Sequence, residues 1–183
     1  MIEAGNGVLL ISDPFLKDPN FMRTVVLLCE HNEEGSFGFV INRTYNKNIG
    51  DLIIGLEGIS EPVYYGGPVQ LDSLHFLHQL PAMIPGAKKV IDGIYWGGDF
   101  EILSELMKKG ELDFSKIRFF IGYSGWSDGQ LNNELTEKSW LTVKANRKLV
   151  FHSDTNAIWK EALESMGGQY KQLVNYPIDP QLN

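Results

Sequence analysis

Gly122-Tyr123-Ser124-Gly125-Trp126 comes nearest in this chain to a known catalytic pattern, the G-x-S-x-G turn that raises a nucleophilic serine between a strand and a helix. Trp126 stands at the second glycine position, where a large side chain crowds the close backbone approach that such a turn needs. A serine nucleophile also needs an acid and a base; Asp154 follows Ser124 in chain order, but no histidine follows Asp154. His75 and His78 lie three apart, which places them on opposite faces of a strand, and the adjacent Glu30 and His31 meet the same objection as a ligand pair. A metal centre would have to be assembled from distant segments without a ligand spacing to mark it, so neither metal nor cofactor is expected. Gly66-Gly67-Pro68 lacks the Lys-Ser/Thr ending of a phosphate loop and reads as a conformational turn. Trp96, Trp126, Trp140 and Trp159 mostly fall where packing accounts for them, which disfavours an aromatic platform for nucleic-acid bases.

The elements around these residues can be read from local chemistry. Phe119, Phe120 and Ile121 have the character of a buried strand, and Gly122 with Gly125 permits a tight reversal. A helix is expected from Ser127. Ser127 and Gln130 have capping-box spacing, and Trp126 and Leu131 occupy the two staple positions.

Upstream, Gly7 to Ser12 and Thr24 to Glu30 read as strands, and Asn32 to Gly35 turns the second into a hairpin with Phe37 to Asn42. Asn48 is placed to cap a short helix through Leu52 to Ile54, ended by Gly55 and Gly58. Leu74 to Leu80 reads as a strand, and Val90 to Trp96 as strand, turn and strand. Asp99 caps a helix whose Phe100, Leu103, Leu106 and Met107 share one face and which Gly110 stops. Trp140 to Ala145 alternates as a half-exposed strand, with Leu149-Val150-Phe151 as its partner after a turn at Asn146-Arg147. Ser153 or Asp154 then caps a helix carrying Trp159, Ala162, Leu163 and Met166 on one face, ended by Gly167-Gly168. Strands outnumber helices in mixed order, which specifies an α+β fold in one domain over residues 1–174. Residues 175–183, with two prolines and little apolar content, read as a loosely attached tail.

Composition narrows the function classes. The 183 residues carry 16 Lys and Arg against 23 Asp and Glu, a net charge of −7, which disfavours direct binding to a phosphate backbone. Cys29 is the single cysteine and sits in the apolar run Val25 to Cys29, where a buried structural thiol is expected. No apolar run approaches the roughly 20 residues that cross a bilayer, and no basic leader precedes Lys17, so a cytoplasmic protein is expected.

Several blocks in order resemble the AlgH/YqgE family of small bacterial proteins. They are Gly7 to Ser12, Asp18 to Phe21, Thr24 to Asn32, Gly38 to Asn42, Gly66-Gly67-Pro68-Val69, Leu77-His78, Gly122 to Trp126, and Gly129-Gln130-Leu131 with Glu134. Asp128 departs from the proline of the family pattern, and Asn132 from its common glutamate. The resemblance implies largely antiparallel sheets forming a small closed β-barrel or a bifurcated sheet surrounded by helices. Members carry a transcriptional-regulator label, which describes pathway effects; this acidic chain shows no helix-turn-helix signature.

The residues then point to a non-enzymatic regulatory or binding protein with an unknown protein or small-molecule partner. The expected surface comprises Gly66, Gly67, Pro68, His78, Tyr123, Ser124, Trp126 and Gln130. The alternative is an enzyme, a hydrolase for example, whose site joins Glu30, His31, His78 or Ser124 from distant segments.

Overall fold

A computed structural model describes residues 1–176. Among these residues ten strands form one branched sheet. They are β1 (Val8–Ser12), β2 (Val25–Asn32), β3 (Gly35–Val40), β4 (Thr44–Asn48), β5 (Pro62–Tyr65), β6 (Val69–His78), β7 (Lys88–Ile91), β8 (Ile94–Trp96), β9 (Ile117–Ser127) and β10 (Trp140–Lys144). The main path runs β10-β1-β2-β3-β9-β6-β8-β7, and β5 with β4 forms a side branch. Along this path the pairs are antiparallel, whereas β5 lies parallel to β9.

The branch point is a wedge. β3 pairs with β9 only over Ser124 to Ser127, while β5 takes the same strand over Phe119 to Ile121. Gly66 closes the fork, donating its N–H to Ile121 and accepting from Val40 N–H, both at 2.8 Å. A Cβ on Gly66 or Gly67 would clash with the backbone of Gly122 or Tyr123, so these two residues have to be glycine for the strands to meet. Of the two forms that the family resemblance implies, the sheet takes the bifurcated one.

The sheet is also strongly curled. Strands three steps apart in a flat sheet lie roughly 14 Å from each other, yet the rings of Phe37 on β3 and Trp96 on β8 are 4.7 Å apart. The concave side holds Leu9, Leu27, Phe39, Leu77 and Phe120, covered at one end by α4 (Arg147–Val150), α5 (Ile158–Ser165) and α6 (Tyr170–Leu173). On the convex side, α3 (Gln130–Thr136) covers one core built on Leu10, Val26, Trp126 and Trp140. A second convex core, on Phe76, Ile117 and Phe119, packs beneath α1 (Ile49–Leu52) and α2 (Phe100–Lys108). Asp99 caps α2 as its position predicts, accepting from Ile102 N–H at 3.1 Å.

Four local expectations need correction. β9 passes straight through Gly122 and Gly125 instead of reversing. Gly122 takes φ +70° at a bulge, where it alone stands opposite the four residues between Val69 and Leu74 of β6. The bulge exchanges the strand's faces: Phe119 and Ile121 point to the convex side and Phe120 inward before it, whereas Tyr123 points inward and Trp126 outward after it. The following helix starts at Gln130, behind a left-handed Gly129, while Ser127 ends the strand. Half of the expected capping box survives, with Ser127 N–H donating to Gln130 Oε1 at 3.1 Å. Leu149-Val150 belongs to α4, since Asn146 accepts from Leu149 N–H at 2.9 Å and caps a helical turn instead of a hairpin. β6 begins at Val69, five residues before the expected start. Of the expected tail from residue 175, all but Asn175 and Tyr176 lie outside the described residues.

Candidate functional site

Among the described residues the helices close one end of the curl. At the other end the concave face opens into a cleft of about 590 Å³ between the β2–β3 hairpin, β9 and the β6–β8 pair. Phe37, Trp96 and Tyr123 form its aromatic floor: Phe37 meets Trp96 at 4.7 Å and Tyr123 at 6.1 Å between ring centroids. His75 stands edge-on to Tyr123 at 5.9 Å. Each ring comes from a different strand, and the sheet register alone brings them together. Glu30 and Glu34 also line the cleft. Lys88 approaches Glu30 at 3.8 Å and lies 5.4 Å from the centre of the Trp96 ring.

Hydrogen bonding fixes the histidine states. Ser73 O–H donates to the Gln70 carbonyl at 2.7 Å, so Ser73 Oγ accepts from His75 Nε2 at 3.0 Å. His75 Nδ1 is thereby left as an acceptor, and burial lowers the imidazole pKa. His78 is fully buried; its Nδ1 accepts from Leu80 N–H at 3.1 Å and its Nε2 donates to the Gly97 carbonyl at 2.8 Å. Its pKa is lowered by burial, which outweighs the opposing Gly97 bond.

The sequence-predicted surface residues divide between the cleft and the framework. Tyr123 and Trp126 line the cleft, although the Trp126 ring packs on the convex side. Ser124 is fully buried and donates to the Gly66 carbonyl at 3.1 Å, so it offers no atom to a surface ligand. Gly66 and Gly67 seat the strand fork, and His78 pins the Leu80 and Gly97 turns. Gln130 belongs to a network: its Nε2 donates to Glu134 Oε1 at 3.2 Å, and Glu134 Oε2 accepts from the indoles of Trp126 at 2.9 Å and Trp140 at 2.7 Å. Pro68 follows the fork and leads directly into β6.

The set Glu30, His31, His78 and Ser124 does not assemble into one site. His31 instead meets Ser36 across the hairpin, Nδ1 to Oγ at 2.6 Å, at the lip of the cleft. Among the described residues no carboxylate bonds to His31 Nε2, so this pair lacks the third member that orients a catalytic base. No group of three potential metal-binding side chains occurs among the described residues. Cys29 is buried, and burial raises its thiol pKa far out of the range of a reactive thiolate. No helix among the described residues is long and apolar enough to cross a membrane.

Sequence reasoning missed Phe37 and Trp96 as cleft residues and weighed His75 only as a metal ligand. Period-two alternation could have put Phe37 and Phe39 on one face of β3, but only the fold brings β8 across from them.

Comparison with known proteins gives a consistent family. A sequence model described as AlgH-like matches residues 9–171. A UPF0301 protein of Chlorobium limicola is 45% identical over 177 residues, covering 97% of this chain and 95% of the relative. One from Cytophaga hutchinsonii is 44% identical over 178 residues, covering 97% and 98%. The solution structure of the AlgH protein from Pseudomonas aeruginosa superposes with a TM-score of 0.75 at 27% identity, covering 97% of this chain and 98% of that one. A Corynebacterium diphtheriae crystal structure shares the fold with a TM-score of 0.81 at 19% identity, covering 96% and 94%.

Proposed function

This chain belongs to the AlgH-like family, and from that premise we propose that it is a non-enzymatic binding protein whose cleft receives an extended segment of a partner protein. The observation that carries the reading is the edge of β9 beside the aromatic floor. Beyond Tyr123, β6 no longer pairs with β9, and among the described residues only β3 pairs with Ser124 to Ser127. Gly125 and Ser127 are exposed there and line the cleft. An incoming strand can hydrogen-bond to such an edge while its alternate side chains enter the neighbouring pocket.

The lining favours one kind of segment. Phe37, Trp96 and Tyr123 favour an aromatic or aliphatic side chain, and the carboxylates of Glu30 and Glu34 with the acceptor His75 Nδ1 favour a lysine or arginine beside it. The same acidic rim and the net charge of −7 oppose nucleic acid, so any regulatory effect runs through captured protein. Selection from a random peptide library on the intact chain tests this reading. Enriched peptides are expected to pair an aromatic residue with Lys or Arg and to lose binding to the Tyr123→Ala variant. Enrichment of acidic peptides, or binding unaffected by Tyr123→Ala, would contradict it.

The hydrolase alternative has one specific observation in its favour, the short Ser36–His31 contact. A fluorophosphonate probe is expected to leave Ser36 unlabelled on the folded protein; stoichiometric labelling abolished by His31→Ala would reverse the preference.

A further inference from the structure

A second hollow, of about 360 Å³, shares no lining residue with the aromatic cleft. It lies between the loop entering β2, the β3–β4 connection and the start of α5, and Arg23, Arg43 and Lys160 converge on it. We propose that this hollow binds a small oxyanion, a phosphate or carboxylate group, independently of the cleft.

Three cations gathered in one concavity repel one another unless a counter-charge is supplied. The protein carries an excess of carboxylates, yet among the described residues none lies within 4.0 Å of the guanidinium of Arg23 or Arg43. Among the described residues Lys160 has only Glu164, at 4.0 Å. Asp18 acts on Arg43 only through space, so among the described residues no carboxylate is paired directly with either guanidinium.

The cations are also held in place before any ligand arrives. Arg43 donates to the carbonyls of Asn20 at 2.6 Å, Met22 at 3.1 Å and Pro19 at 3.2 Å. Arg23 stacks 4.7 Å above the Trp159 ring, donates through Nη2 to the Tyr176 carbonyl and is held at φ 48°, in the left-handed region. Its backbone is fixed by Asn42, whose Nδ2 donates to the Arg23 carbonyl at 3.0 Å while its Oδ1 accepts from Val25 N–H at 2.9 Å. Arg23 Nε is buried and has no hydrogen-bond partner among the described residues, while Arg23 itself lines the hollow. Strained backbone and an unsatisfied polar atom are costs that a binding site accounts for and a purely structural loop does not.

The test follows the Arg23 Nε–H and Trp159 indole N–H signals of the intact chain by NMR during titration with inorganic phosphate. Sodium acetate and, at matched ionic strength, sodium chloride serve as parallel titrants. The expected result is saturable movement of both signals with phosphate or acetate, the tighter of the two identifying the source, and no saturable movement with chloride. Arg23→Gln is expected to weaken binding about tenfold, and Lys160→Gln, an exposed change that spares the fold, about threefold. Equal response to chloride, or unchanged affinity in both variants, would overturn the proposal.

Discussion

Two aromatic clusters flank the second half of β9, and they differ in whether their polar atoms are used. On the convex side Trp126 and Trp140 pack with Phe21 at 6.2 Å and 5.5 Å, and both indole N–H groups end on Glu134. On the concave side Phe37 packs against both Trp96 and Tyr123, but among the described residues the Trp96 indole N–H has no acceptor, and the rings line an open cleft. One cluster is closed by a carboxylate and a helix. The other still has room for a partner. An aromatic residue alone therefore says little about binding; what separates the clusters is whether the fold has already satisfied and covered them.

Breaking the closed cluster should have the largest effect. Glu134→Ala leaves two buried indole donors without an acceptor and is expected to cost about 3 kcal/mol of stability, read from the urea midpoint, while Glu134→Gln costs less. A result below about 1 kcal/mol would mean that the convex cluster is not closed in this way. Gly122→Ala comes next, at about 2 kcal/mol, because Gly122 has φ +70° and a Cβ there meets the Gly67 carbonyl. It should also weaken peptide capture, since the bulge directs Tyr123 inward. In the open cluster, Tyr123→Ala is expected to lower the affinity for a selected peptide at least about tenfold while moving the urea midpoint less than Glu134→Ala does.

The buried histidines add a pH dependence. Burial holds His75 and His78 below the ordinary 6.5 in the folded chain. Above that value both states carry neutral rings and this contribution is fully present. As pH falls through it, the unfolded chain takes up protons first and stability declines until the lowered folded values are passed. A His78→Gln variant should show a shallower decline between pH 7 and 5; an identical slope would remove His78 from the account. The smallest effect belongs to Lys88→Ala, which removes an exposed ion pair with Glu30 and should change stability by no more than about 0.5 kcal/mol.

Much of the framework was legible because it rests on local chemistry. The β2–β3 hairpin, the Asp99 cap and the apolar face of α2 follow from turn residues and periodicity. β4 was not legible, because Thr44 to Asn48 carries no apolar run and owes its strand form to pairing with β5. Gly122 was read as a reversal because a glycine with positive φ serves a turn and a bulge equally well; the partner strand decides between them. The cleft was half visible. Tyr123 stood out for its glycine neighbours, whereas Phe37, His75 and Trp96 lie far apart in the chain and meet only through the curl of the sheet.

The most direct measurement is an NMR titration of the intact chain with a selected peptide, following the four indole N–H signals together. The account predicts that the Trp96 signal moves to saturation while those of Trp126 and Trp140 stay fixed on Glu134. Movement of Trp126 or Trp140 with Trp96 unchanged would place binding on the convex side and contradict it.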